Sequence, residues 1–545
     1  MSLRALGITM LVAGWAIFVL ALLWPSAALV GRCVTQPAPH PRSHTAPQPA
    51  PATAVTTPNA LTTPTADVGA PSWWHRLRPA IAGPTDGFAF SGRQLGLLAR
   101  SVVLAAGATI VALLLALPGA YAVGRAGRLQ ERPLIAALLV AALLFPPMVY
   151  TFGWQRVLPG LLRGHFCCVG VWALWGWPIP ALVIGTGWRR RGKAVIEAAL
   201  LNTTPTAAWL RVVLPVLLRY VVLSALILFL LYLGDYGVPH ACGLRVYATE
   251  LLGWAQNSAL TIDTAWASIP PAVVTLLVWF LLTRVWRRCA GDEDAGGAVS
   301  HEPARSGALL GLAVAGCIVS FVVPLVALAA HLSSAAALLE ASRVYGTELA
   351  WSAGLAALGG VLAVLMGVAV AGTPRGGMVA LSWAVLLGAL PGALVGSALI
   401  AAYHAVPPVY DHWPILTIAF VARFGWVGIL VAWLAAASVP AELAEQARSD
   451  GAGPLALLLH LHVPMYWPTL LAGSAVVAAL ALGDIATSTL VAIPSVRLVA
   501  HVIIEKFHRL EDDMLIALSL WLVCITLPVV AALAGALRRR RLTDR

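Results

Sequence analysis

The chain has 545 residues, of which 60% are hydrophobic and 11% charged, and its mean hydropathy is +0.86. Repeated, continuous apolar runs of about 20 residues exclude a soluble domain, and their lack of alternation excludes a membrane barrel. The net charge of +12 does not point to nucleic acid, because the basic residues cluster in short loops beside the apolar runs.

Twelve membrane-spanning helices are predicted, near 6–30, 101–124, 133–153, 169–187, 217–235, 267–284, 307–330, 348–372, 379–402, 414–436, 468–490 and 514–537. The first, within residues 1–31, reads as an uncleaved anchor, since its apolar stretch is too long for a signal-peptide core. Val30-Gly31-Arg32-Cys33 also places Arg32 where a lipoprotein box wants a small residue. Residues 32–98 read as an outer loop. Its Pro, Ala and Thr content from Gln36 to Pro71 cannot bury a core, so an extended, largely disordered spacer is expected. Residues 99–285 carry five further spans. Residues 286–306, with Asp292, Glu293 and Asp294, form a polar linker, and residues 307–545 carry the remaining six spans. The predicted fold is an all-α polytopic membrane protein of two repeated six-helix halves.

Basic loops orient the spans. Arg125, Arg128 and Arg132, Arg189 to Arg191 with Lys193, Arg284, Arg287 and Arg288, Arg375, and Arg538 to Arg541 fall on one side if both termini are cytoplasmic. The opposite loops hold fewer, scattered charges such as Arg245, Arg343 and Arg497. Of the cysteines, Cys317 and Cys524 fall within spans, whereas Cys33, Cys167, Cys168 and Cys242 fall on the outer side, where disulfides form. Cys242 has two candidate partners, Cys167 and Cys168, and spacing does not choose between them.

Two polar loops interrupt the apolar chain at equivalent places, after the fourth span of each half. One reads EQARSDGAGPLALLLHLHVP from Glu445 to Pro464, the other EAALLNTTPTAAWLRVVLP from Glu197 to Pro215. From loop proline to a later aspartate the spacing is 20 residues in both, Pro215 to Asp235 and Pro464 to Asp484. A loop that transmits force needs short rigid helices. Glu197 and Glu445 are expected near their helix starts, where a carboxylate suits the positive end and accepts a basic partner. Ala198, Ala199 and Ala447 permit close approach, Gly451 allows the turn between two short helices, and Pro215 and Pro464 open the next span, where proline costs little.

These loops resemble the conserved cytoplasmic loop of type I ABC importer permeases: Glu-Ala-Ala, three residues, Gly, nine residues, an aliphatic, one residue, Leu-Pro. The second copy fits at Glu445, Ala447, Gly451, Leu461 and Pro464, with Gln446 and Val463 as departures. The first fits at Glu197, Ala198, Ala199, Leu214 and Pro215, but is one residue shorter and lacks the glycine. Leu233 to Gly243 and Leu482 to Pro494 are similar to the two-domain permeases of iron(III), thiamine and aminoethylphosphonate uptake. The resemblance covers about 100–285 and 345–540. It implies a non-enzymatic channel subunit in a bacterial inner membrane. Two ATP-binding cassette subunits would grip the loops, and a periplasmic or lipid-anchored solute-binding protein would dock outside. ATP would be used by the partners, with no cofactor or metal in this chain and no nucleic acid bound.

Other signals are weaker. Gly187 to Lys193 matches the start of a phosphate-binding loop, but Ala194 stands where Mg²⁺ binding needs Ser or Thr. The thirteen histidines form no metal-ligand spacing, and no nucleophile–base set is evident. An ion-gradient-driven secondary transporter of twelve helices is the alternative reading, although the Gly-x-x-x-Asp-Arg loop of the major facilitator class is missing near Arg125 to Glu131. Arg423 and Asp484 are ionisable groups within expected spans and therefore candidates for a pathway or gating pair. Asp235 is the repeat equivalent of Asp484, expected near the outer surface.

Overall fold

A long apolar run in hydrocarbon satisfies its backbone by closing each N–H on the carbonyl four residues back, and the chain does this along most of its length. The structure is a computed structural model that describes residues 3–35, 92–125, 139–143, 145–159, 164–190, 201, 203–204, 207, 211, 214–257, 261–290, 307–371, 374–437, 439 and 441–543. Among these residues there is no strand beyond an isolated bridge between Ile493 and Val496. Eight helices among them are long and apolar enough to cross a membrane, and a bent pair makes a ninth. The described residues are almost wholly helical, and the chain has multi-pass membrane character.

The first half includes α1 (Leu3–Phe18), joined through a π-helical turn to α2 (Trp24–Thr35), then α3 (Gly92–Arg125), α4 (Pro147–Val157), α5 (Gly164–Gly176), α6 (Pro178–Arg190), α7 (Leu214–Leu233), α8 (Gly237–Ala241), α9 (Tyr247–Asn257) and α10 (Ile269–Ala290), with a short helix at Thr261–Ala267. The second half includes α11 (Gly307–Ala330), α12 (Gly346–Ala371), α13 (Pro374–Ala389), α14 (Gly392–Tyr403), α15 (Pro414–Ala437), α16 (Ala441–Ser449), α17 (Pro454–Leu457), a π-helical turn (Leu458–His462), α18 (Val463–Leu482), α19 (Ala486–Leu490), α20 (Val499–His508) and α21 (Asp512–Thr543), with shorter helices at Ala335–Val344 and Pro407–Tyr410.

The helices are inside-out relative to a soluble bundle. On α3, Ala105, Ala108, Ala112 and Ala116 are fully buried, while Val103, Ile110, Leu114 and Leu117 are exposed. Small residues let helices approach, and large aliphatics face lipid, which exacts no cost for their exposure. Close approaches occur at the α12–α15 crossing, where a Cβ on Gly367 would collide with the Gly428 carbonyl and one on Gly428 with the Ala363 carbonyl, and between α12 and α18, where one on Gly360 would collide with the Ser474 carbonyl.

Packing repeats between the halves. α3 packs on α6 and α7 as α12 packs on α15 and α18; α7 packs on α10 as α18 packs on α21; α4 packs on α8 as α14 packs on α19. A hydrogen bond repeats too: the Tyr247 N–H donates to Ser101 Oγ (2.9 Å), and the Val499 N–H donates to Ser352 Oγ (2.8 Å). The first spans are exchanged: α1 packs on α12 and α2 on α14, whereas α11 packs on α3 and α4. The sequence carries no sign of this exchange, because lipid-facing and partner-facing helices are equally apolar.

Three expected spans differ in shape. The helix predicted over 379–402 breaks at Leu390-Pro391, and its two parts meet at 111°. Proline removes a helix N–H and clashes with the preceding turn, and Pro391 takes an extended ψ of 136°. Pro146 does the same at the head of α4, with ψ 127°. The helix predicted over 468–490 ends at Leu482; Gly483 and Asp484 stop it, and α19 starts anew.

Candidate functional site

The polar turn after α15 is built locally. α16 has Glu442 in its first turn and Arg448 in its last, both matched to the helix dipole. Glu445 is therefore the fifth residue of α16 and not at its start; the exposed carboxylate in the dipole position is Glu442. Gly451 closes the helix with φ +85°. The Ala452 N–H donates to the Ala447 carbonyl (2.9 Å) and the Gly451 N–H to the Arg448 carbonyl (3.0 Å). That double closure is a Schellman motif, which needs a left-handed residue where Gly451 stands.

α17 then starts at Pro454 and continues without interruption through the π-helical turn into α18. Pro464, with no N–H to give to the turn before it, is the second residue of α18. The wider π turn directly ahead of it accommodates the proline ring, as helices do at such points. Glu445, Gly451 and Pro464 are exposed and Ala447 is half-buried. In the first half, Glu197, Ala198 and Ala199 lie outside the described residues. Pro215 is the second residue of α7 and exposed.

The turn sits at the arginine-rich end of the bundle. Trp286, beside Arg284 and Arg288 at the end of α10, approaches Trp433 at the end of α15 with ring centroids 6.3 Å apart. α1 packs against α17, and the ends of α3 and α6 meet where a Cβ on Gly124 would touch Trp188. At the opposite end the arginines are matched by carboxylates: Arg156 pairs with Asp512 at 2.7 Å, Arg93 with Glu250 at 3.3 Å, Arg509 with Glu505 at 3.0 Å, and Arg497 also with Glu505. In the sequence these arginines are scattered, because their partners lie on other elements or one turn away. That end carries an open cavity of about 610 Å³ between the halves, lined by Gln155, His240, Cys242, Arg245, Glu250 and His508 among others.

A buried polar cluster lies at the seam between the halves. Arg423 on α15 does not form an ion pair with Asp484 within 4.0 Å. Its guanidinium instead donates to the carbonyls of Gly388 (2.8 Å) and Leu390, at the C-terminal end of α13 where the helix breaks, and reaches the Gly234 carbonyl of the first half at 3.4 Å. Carbonyls freed by a break carry the negative end of the helix dipole, and a cation there satisfies both.

The first half solves the same problem with a neutral donor: Trp175 Nε1 donates to the Phe145 carbonyl at 3.1 Å, directly before Pro146. Proline at matching positions, Pro146 and Pro391, was the signal in the sequence that could have revealed both broken spans.

The two aspartates are caps. Asp235 accepts from the N–H groups of Gly237 (3.0 Å) and Val238 (3.2 Å) at the head of α8, and from Trp172 Nε1 (2.8 Å). Asp484 accepts from Thr487 Oγ1 (3.2 Å) at the head of α19, while its Oδ2 has no hydrogen-bond partner among the described residues. Asp235 is partly buried, deeper than the outer-surface position expected for it. The halves meet through the glycines before these aspartates: a Cβ on Gly234 would approach the Ala389 carbonyl to 3.2 Å, and one on Gly483 would approach Pro146 to 3.2 Å. α7 and α18 thus each abut the proline break of the other half.

Among the described residues no group of three or more His, Cys, Asp or Glu side chains converges as a metal-ligand set. Comparison with protein-family models, curated proteins and solved structures finds no match.

Proposed function

We propose that the chain is the transmembrane permease subunit of a binding-protein-dependent ABC importer, coupling ATP hydrolysis on two separate cassette subunits to inward solute transport. The observation that carries this reading is the exposed turn from Glu445 to Pro464: a helix closed by Gly451, then a second helix continuous with the fifth span. Such a build makes a lever, since a push on α17 is delivered along α18 to Gly483 at the seam between the halves. The polar loop beginning at Glu197 is its counterpart in the first half.

On this reading the chain has twelve spans and both termini in the cytoplasm of a bacterial inner membrane. ATP binding draws the cassette subunits and the two loops together, the halves turn about the seam, and the pathway opens toward a periplasmic or lipid-anchored binding protein. By resemblance, ferric iron, thiamine or a phosphonate is the cargo. Glu445→Arg and Gly451→Pro are expected to leave the chain inserted while abolishing ATP-driven uptake in membrane vesicles. Full uptake by both variants, or uptake that follows an ion gradient without ATP, overturns the reading.

A further inference from the structure

We infer that Cys167 and Cys242 are joined by a disulfide in the native protein. Their Sγ atoms lie 2.8 Å apart, so formation of a bond of about 2.05 Å requires them to close by only roughly 0.8 Å. The elements that carry them are already fixed to one another. Trp172 of α5 donates its indole N–H to Asp235 (2.8 Å), the Tyr232 hydroxyl of α7 donates to the Trp172 carbonyl (2.7 Å), and Gln155 Nε2 donates to the Ala241 carbonyl (2.9 Å). The two sulfurs are thus held next to one another by contacts that do not involve the cysteines themselves. The geometry also makes the choice that spacing left open. Successive helix residues point about 100° apart, so when Cys167 of α5 faces Cys242, Cys168 faces elsewhere.

Cys167 is fully buried, but Cys242 lines the open cavity between the halves, which gives an oxidant a route to it. The inference rests on the proposed orientation, in which this end faces an oxidising compartment. A disulfide of a thiol–disulfide oxidant is attacked by the Cys242 thiolate. Cys167 then displaces the mixed disulfide. One S–S bond forms in the chain, the two thiols give up two protons and two electrons, and the oxidant leaves as two thiols.

The bond would tie the corner after Asp235 to α5 in the first half only. The second half has Cys317 and Cys524 alone, and neither belongs to the matching corner after Asp484, where Oδ2 has no hydrogen-bond partner among the described residues. One corner of the seam is then covalently fixed, while the other is held by hydrogen bonds such as Thr487 to Asp484 and Ser488 to the Asp484 carbonyl.

The test is a thiol map of the full-length chain taken from membranes without reductant, denatured in N-ethylmaleimide and digested. The expected result is a Cys167–Cys242 cross-linked peptide that reduction separates, with Cys168 alkylated throughout. Alkylation of both Cys167 and Cys242 overturns the inference, and a second arm says why. If oxidised glutathione then forms the cross-link in folded, unmodified protein, the geometry stands and the orientation fails. If it does not, the geometry itself is wrong.

Discussion

Removing the Arg423 guanidinium should unfasten the broken third span of the second half. In Arg423→Ala the carbonyls of Gly388 and Leu390 lose their donors at the end of α13, and the longer contact to Gly234 is lost with them. A hydrogen bond to a charged group contributes about 1.5–3 kcal/mol, and buried acceptors left without partners add to the loss. Two such bonds set the expected destabilisation at about 3–6 kcal/mol, which for a chain of this size lowers the melting temperature by about 3–5 °C. Arg423→Lys keeps a cation but cannot span two carbonyls with a planar fork, so it should fall between. Thermal unfolding of the purified protein in detergent, followed by tryptophan fluorescence, reads the effect. If Arg423→Ala melts within a degree of the unsubstituted chain, the guanidinium is not holding the bend, and the argument from the freed carbonyls fails.

Because Arg423 and Asp484 form no ion pair, exchanging them as Arg423→Asp with Asp484→Arg should restore nothing, and the double variant should melt no higher than the better single one. Ser101→Ala and Ser352→Ala should each cost about 1–2 kcal/mol by leaving a buried N–H, of Tyr247 or Val499, without its acceptor; clearly unequal losses in thermal unfolding would contradict the equivalence of the halves. Gly451→Ala should cost about 1 kcal/mol because φ is +85°, read as faster amide exchange at Gly451 and Ala452 with the transmembrane helices unchanged. His240, on the cavity outside the spans, has its pKa pushed down to about 4, first by burial and then by the neighbouring His508. Its unfolded state binds the extra proton between pH 6.5 and 4. Its contribution to stability is therefore complete above pH 6.5 and is lost as pH falls through that window. His240→Gln should flatten this part of the pH–melting curve, and an unchanged slope would contradict the assignment.

The features legible in the sequence were those set by local chemistry. Apolar runs gave most of the helices, the spacing from loop proline to aspartate gave the repeat, and Gly451 stood where a left-handed residue closes α16. Features that depend on contacts between distant segments were not legible. Nothing in residues 6–30 says that α1 and α2 lie against the second half, because apolarity does not specify a partner. Asp484 read as a charge inside a span because the uncharged residues Ala486 to Leu490 follow it without a basic or acidic interruption; only the bond from Thr487 to Asp484 shows that one helix stops and another starts. Arg423 read as half of an ion pair because its acceptors, the carbonyls of Gly388 and Leu390, have no signature of their own. Trp175 was overlooked for the same reason, although it occupies the matching role in the first half.

The central claim is that this chain is driven by a separate ATPase through the turn at Glu445. It is tested most directly by isolating the tagged, full-length chain from native membranes in mild detergent, identifying what accompanies it by mass spectrometry, and measuring ATP hydrolysis by the isolate. The account predicts a co-purifying subunit with a phosphate-binding loop, two copies per chain, with ATP hydrolysis that disappears from the isolate when the tagged chain carries Glu445→Arg. A chain that purifies without any ATPase and is equally active as an ion-coupled transporter in sealed vesicles would contradict it.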